Sequence, residues 1–256
     1  MIDKIINLLN KSHDSTLSNM PPTILYNEGW MLRLVLDWFK NNPGVTHKLA
    51  IPADCNWYSE ALLPSPFLRG PKDKNKRFAE GYTHADGAAG KFNIGILNKG
   101  ELSLKPECDF LYITEAKMVS SLSAGTKNAG YYNQAARNIA CIADLFVRAN
   151  LINCSFRKLA FYVLLPESHS DMNNIKTIIS KQHITDTILR RINDFENYDN
   201  EHGSISWLRT NTADFVSKKI ETDVITWEEI VKFINDPSLE VFYNRCLKFN
   251  QKYKNA

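Results

Sequence analysis

Residues 109–118 read "DFLYITEAKM". Phe110 to Thr114 form an unbroken apolar and β-branched run that ends in Glu115, Ala116 and Lys117. That composition is the signature of a strand covered on both faces. Side chains two apart in a strand share a face, so Glu115 and Lys117 point the same way. A carboxylate and an ammonium at the end of a buried strand are costly unless they are paired or have a chemical task. A strand covered on both faces belongs inside a sheet flanked by helices, which sets the fold class.

The neighbouring segments supply the rest of that arrangement. Upstream, "THADGAAGKFNIGIL" (83–97) reads as a loop entering a strand, because Phe92, Ile94 and Ile96 alternate with Asn93 and Gly95. "NKG" (98–100) is a turn signal. An antiparallel hairpin turning there brings Asp86 to the end of the strand that carries Glu115. Downstream, "SSLSAGTKN" (120–128) is a polar loop. "AGYYNQAARNIACIADLFVRAN" (129–150) then reads as a long helix, with Ala135, Ile139, Ile142 and Phe146 as its apolar stripe. "KLAFYVLLPE" (158–167) is a second strand of the buried type.

At the N-terminal side, "NEGWMLRLVLDWF" (27–39) has apolar residues three and four apart, and "NNPG" stops it near Asn41. Asn27 is its expected N-cap and Glu28 lies in its first turn. "HKLAIP" (47–52) reads as a short strand. "SEALLPSPFLRG" (59–70) reads as a turn of helix and then loop, because Pro64 and Pro66 interrupt it. From about Ser168 the chain reads as mostly helical, with a capping box at Thr226 and Glu229 and a cap at Ser238. The order is helix, three strands, helix, strand, then helices, which is an α/β arrangement with a mixed central sheet. One domain over residues 1–256 is expected, with a core over 24–166 and a helical part over 167–256 packed on it.

A chain of 256 residues, 44% hydrophobic and 23% charged, has the composition of a globular domain rather than a disordered one. The net charge of +3 permits a polyanionic partner without demanding one. "PKDKNKRF" (71–78) gathers Lys72, Lys74, Lys76 and Arg77, either as a solvated loop or as phosphate contacts. The five cysteines form no C-x-x-C pair, which points to a reducing cytoplasm. No apolar run approaches the length of a membrane span, and the first fifteen residues lack the pattern of a signal peptide.

Glu115-Ala116-Lys117 is the chain's one E-x-K, and there is no D-x-K. A triplet of this kind arises about once by chance in a chain of this size. Its surroundings give it weight: Asp86 before it, Glu28 on the first long helix, and Gln134 and Arg137 on the helix after it. The stretches "HADG", "ITEAK" and "YYNQAARN", over roughly residues 24–166, resemble the PD-(D/E)XK nuclease superfamily, the restriction-endonuclease-like fold, and a bacterial branch of it. Ala85 stands where that superfamily loosely keeps a proline before the first acid.

The resemblance implies a metal-dependent hydrolysis of phosphodiester bonds in DNA or RNA, with Mg²⁺ or Mn²⁺ as cofactor. Asp86 and Glu115 would hold the metal, with the Ala116 carbonyl as a further oxygen. Mg²⁺ takes hard oxygens and keeps several waters, so one or two carboxylates suffice. Lys117 would orient the attacking water or offset charge on the phosphate. Gln134 would fix the ammonium or the phosphate, and Arg137 would touch a phosphate. Glu28 would ligate a second metal, with Glu60 as a rival acid, and His84 is a further neighbour. Each has a bland counterpart: a surface ion pair at Glu115 and Lys117, a first-turn acid at Glu28, and a polar helix edge at Gln134. Trp207 and Tyr243 are expected in the core rather than as base-stacking platforms. Two other functions stay open: a nucleic-acid-binding protein of the same fold that no longer cuts, and a structural or partner-binding protein. Oligomeric state, a dimer included, is not legible.

Overall fold

The structure is a computed structural model that describes residues 2–13, 20–67, 80–96, 98–127, 129–151, 153–196 and 203–252. In chain order the elements are α1 (Ile2–Lys11), α2 (Glu28–Asn41), β1 (Asn56–Leu63), β2 (Thr83–Gly90), β3 (Phe92–Ile94) and β4 (Leu102–Leu104). There follow β5 (Phe110–Ala116), α3 (Gln134–Arg148), β6 (Lys158–Leu165), α4 (Met172–Ile178), α5 (Lys181–Glu196) and α6 (Gly203–Asp214). The last three are β7 (Glu221–Thr226), α7 (Trp227–Ile234) and α8 (Pro237–Lys252).

The fold is α/β. A five-stranded sheet has the order β1-β2-β5-β6-β7. β2 pairs antiparallel with both β1 and β5, whereas β5, β6 and β7 run parallel. The "DFLYITEAKM" strand is therefore the middle one, and every residue from Phe110 to Ala116 is buried. Alternation along β5 divides the interior. Leu111 and Ile113 join the core with Ile139, Ile142 and Phe146 of α3. Phe110, Tyr112 and Ala116 join the other core with Leu32, Val35 and Leu36 of α2 and Trp227 of α7. The helices on the two faces supply what a parallel sheet requires.

Several elements match their sequence signals. Asn27 caps α2 by accepting from the Trp30 N–H at 2.9 Å, and the Thr226–Glu229 capping box opens α7. β6 has the expected span and lies between β5 and β7. The helix expected over 129–150 begins only at Gln134, because Asn133 caps it through the Ala136 N–H at 3.0 Å.

Other expectations are corrected. Residues 47–52 form turns, not a strand. Residues 59–63, expected to open a turn of helix, lie in strand β1 (Asn56–Leu63), and Thr83–Gly90, expected as a loop, is strand β2. β2 is rich in alanine and glycine because its neighbours come too close for larger side chains. A Cβ at Gly90 would lie 2.4 Å from the Phe110 carbonyl oxygen, and one at Gly87 would lie 2.5 Å from Thr114 Oγ1. The "NKG" turn does not join β2 to β5; it follows β3, which pairs with β4 in a separate two-stranded ladder. Among the described residues from 167 onward the regular elements are helices except for β7, which adds the fifth strand. α8 starts one residue before Ser238, at Pro237, and Asp236 accepts the Ser238 N–H at 2.8 Å. Among the described residues no helix is long and apolar enough to cross a membrane. All five cysteines are free.

Candidate functional site

β5 ends with Ala116, and its antiparallel partner β2 passes beside that end. The β2–β5 ladder runs from Gly90↔Leu111 to Gly87↔Thr114, so the next residues in register are Asp86 and Glu115. Asp86 does not continue the ladder with its backbone. Instead its Oδ2 accepts the Ala116 N–H at 2.8 Å. In an extended strand the N–H and C=O of one residue point to the same edge, so the Ala116 carbonyl is aimed at the β2 side as well. The adjacent Lys117 N–H goes the other way, to Leu164 O of β6 at 2.8 Å.

Glu115 is fully buried. Its Oε1 accepts from Lys117 Nζ at 2.6 Å and from the Gln134 side-chain amide. The Gln134 amide is oriented from its other side: Oε1 accepts the Ser123 N–H at 3.1 Å, while the Gln134 N–H donates to Ser123 O at 3.0 Å. The loop at Ser123 thus folds back on the first residue of α3 and holds the amide nitrogen toward Glu115. Lys117 is held through its carbonyl, which accepts from the buried Trp227 indole at 3.0 Å. Neither Ser123 nor Trp227 carried a signal in the sequence, because each acts through backbone contacts that tertiary folding alone creates.

Glu115 Oε2 is buried and has no hydrogen-bond partner. The Asp86 carboxylate stands within hydrogen-bonding reach of Glu115. Burial, with the Asp86 charge added, pushes the Glu115 carboxyl up to about 8, against the opposing pull of Lys117. Burial disfavours the Lys117 ammonium, but the charges of Glu115 and Asp86 outweigh it and hold Lys117 above its ordinary value. Burial and the neighbouring Asp86 charge thus favour the protonated form of Glu115. A buried carboxylate oxygen without a donor is satisfied by a proton or by a cation. The donor set suits a hard divalent ion: two facing carboxylates with a carbonyl-bearing strand edge beside them.

The remaining expected site residues divide. Arg137 lies one turn beyond Gln134, on the same face of α3; its Nε is buried with no hydrogen-bond partner among the described residues. Glu28, in the first turn of α2, lies within the electrostatic range of Lys117. It does not complete a larger ligand set: among the described residues no group of three or more His, Cys, Asp or Glu side chains is assembled for a metal. Glu60 is half exposed and pairs with Arg33 at 3.5 Å. His84 is exposed on β2. Lys72, Lys74, Lys76 and Arg77 lie outside the described residues. Tyr243 is buried and donates to Glu228 at 2.5 Å, and Trp207 packs edge-on against Phe215. Asp109, the other acid of the opening strand, belongs to the far end of β5. There it forms a four-charge box with Asp54, Lys91 and Arg157.

Asp86, Lys117 and Gln134 are only half buried, so the site opens to solvent between them. A cleft of about 390 Å³ between α7 and α8, lined by Glu228, Lys232 and Glu240, contains none of these residues. Comparison of the chain with family models, with characterised proteins and with solved structures finds no match.

Proposed function

We propose that the chain is a metal-dependent nuclease that hydrolyses phosphodiester bonds in DNA, using Asp86, Glu115, Lys117 and Gln134. The observation that carries this reading is the approach of Asp86 to Glu115 at the end of the β2–β5 ladder, beside Lys117, which follows β5 directly. The buried, donor-less Glu115 Oε2 fits the implied Mg²⁺ or Mn²⁺. When bound, such an ion polarises the phosphate and lowers the pKa of a coordinated water.

The chain's own residues would divide the remaining work. Asp86 keeps Oδ2 on the Ala116 amide, which fixes its direction, and its second oxygen would be its contribution to the ligand set. Glu115 uses Oε1 for Lys117 and Gln134 and leaves Oε2 for the ion. The Lys117 ammonium, held beside Glu115, would hold the attacking water or offset charge on the phosphate. Gln134 keeps the ammonium and carboxylate in register. Arg137, on the same helix face, supplies a fork-shaped donor for a neighbouring phosphate. The net charge of +3 suits a polyanionic substrate.

The test is cleavage of a substrate panel of single- and double-stranded DNA and RNA with Mg²⁺, with Mn²⁺ and with chelator. Metal-dependent cleavage lost in Lys117→Ala, with the circular dichroism of the variant unchanged, is the expected result. RNA cleaved in preference to DNA would move the substrate. Salt-dependent binding with no turnover would replace the nuclease by a binding protein.

A further inference from the structure

The ladder between β1 and β2 has a gap that keeps its register. Ser59 pairs with Gly87 and Ala61 pairs with Ala85, while Glu60 and Asp86 face each other between them and stay outside the ladder. In a regular strand, residues two apart share a face. Here they do not. Ser59 Oγ accepts from Arg33 Nε of α2 at 2.9 Å, and a Cβ on Gly87 would meet Leu32 and Leu36 of α2 at 3.0 Å. Ala61 and Ala85 instead belong to the core on the α3 side. The pleat therefore reverses on both strands at once, at Glu60 and Asp86.

We infer that Glu60 is a positioning residue, whose backbone turns Asp86 out of the pleat and toward the Ala116 amide and Glu115. Glu60 has a φ of +57°, in the left-handed region. The other non-glycine residues with positive φ among those described are Asn150 and Asn235, and asparagine tolerates this region where glutamate does not. Strain held at one residue beside a site is a mark of function when the surroundings enforce it. Arg33 does so here, through Ser59 Oγ and, at 3.5 Å, the Glu60 carboxylate. The Glu60 side chain is 52% exposed and pairs with Arg33, so Glu60 acts through its backbone rather than as a ligand. The consequence reaches β5. With the pleat reversed, the Asp86 carboxylate takes the Ala116 N–H where a backbone acceptor would otherwise continue the ladder.

The role given to Asp86 rests on the proposed function, but the geometry does not, and the test separates them. Glycine adopts the left-handed region freely and valine is excluded from it. Amide exchange at Ala116, read by NMR on metal-free protein, reports the Asp86 hydrogen bond directly. The Ala116 amide is expected to be protected in the wild type and in Glu60→Gly. In Glu60→Val it is expected to exchange at least about tenfold faster, the factor set by loss of one hydrogen bond to a charged acceptor. Mn²⁺ affinity, titrated in parallel, should fall with it. Glu60→Thr, also β-branched, serves if the valine variant does not fold. Wild-type protection in Glu60→Val or Glu60→Thr overturns the inference. So does protection lost in Glu60→Gly, because the carboxylate and not the backbone would then matter. Absence of Mn²⁺ binding in the wild type counts against the nuclease reading alone, since Ala116 exchange still decides the role of Glu60.

Discussion

A buried glutamate with one unsatisfied oxygen carries a cost that depends on its proton. Burial and the Asp86 charge push the Glu115 carboxyl up to about 8 in the folded chain, from an ordinary 4.5. At this group the folded state therefore binds more protons than the unfolded state between those values, so its contribution to stability falls as pH rises across that window. Glu115→Gln removes the ionisation and with it that share of the slope. In urea unfolding of metal-free protein, the wild-type midpoint should fall relative to the variant's between pH 4.5 and about 8. Equal slopes would contradict the burial argument. Lys117 is the second residue whose loss is specific. Its side chain is 13% exposed and its ammonium lies 2.6 Å from Glu115 Oε1. Lys117→Ala should lower the cleavage rate by about 10²–10³, the usual cost of losing one electrostatic donor. Rate assays under saturating metal check it.

At the scale of the element, the sequence was legible wherever an element has a strong period of its own. α2 and β6 follow directly from apolar spacing, and the central position of β5 follows from its unbroken apolar run. β1 and β2 were missed for a physical reason. "THADGAAG" lacks the β-branched residues that signal a strand, because α2 and β5 come so close that only small residues fit. Gly90→Ala would set a Cβ 2.4 Å from a backbone carbonyl that cannot step aside. It should cost about 1–3 kcal/mol, in the range of overpacked cores, measured by chemical unfolding. β7 escaped notice because "ETDVIT" is short and runs straight into the capping box of α7. Of the site, Asp86, Glu115, Lys117 and Gln134 were readable and the fold brings them together. Arg33, Ser123, Trp227 and the backbone role of Glu60 were not, because those contacts exist only once the sheet has formed.

At the scale of the molecule, β5 separates two tasks along one strand. Its C-terminal end carries the proposed chemistry, and its N-terminal end is held by Asp54, Lys91, Asp109 and Arg157. Hydrogen bonds from Arg157, joined by Lys91, hold the Asp109 carboxyl below its ordinary 3.8. The stability this box contributes is present above that pH and is lost as pH falls through the folded value. Asp109→Asn should therefore leave cleavage unchanged while lowering the unfolding midpoint at neutral pH, with the difference from wild type shrinking in acid. A variant that lost cleavage while folded would join the two ends of the strand in one function. The proposal that Asp86 and Glu115 form a cation site is open to direct observation by anomalous scattering from a crystal soaked in Mn²⁺. The expected result is a peak between Asp86 and Glu115 Oε2. No peak there at saturating Mn²⁺ would contradict it.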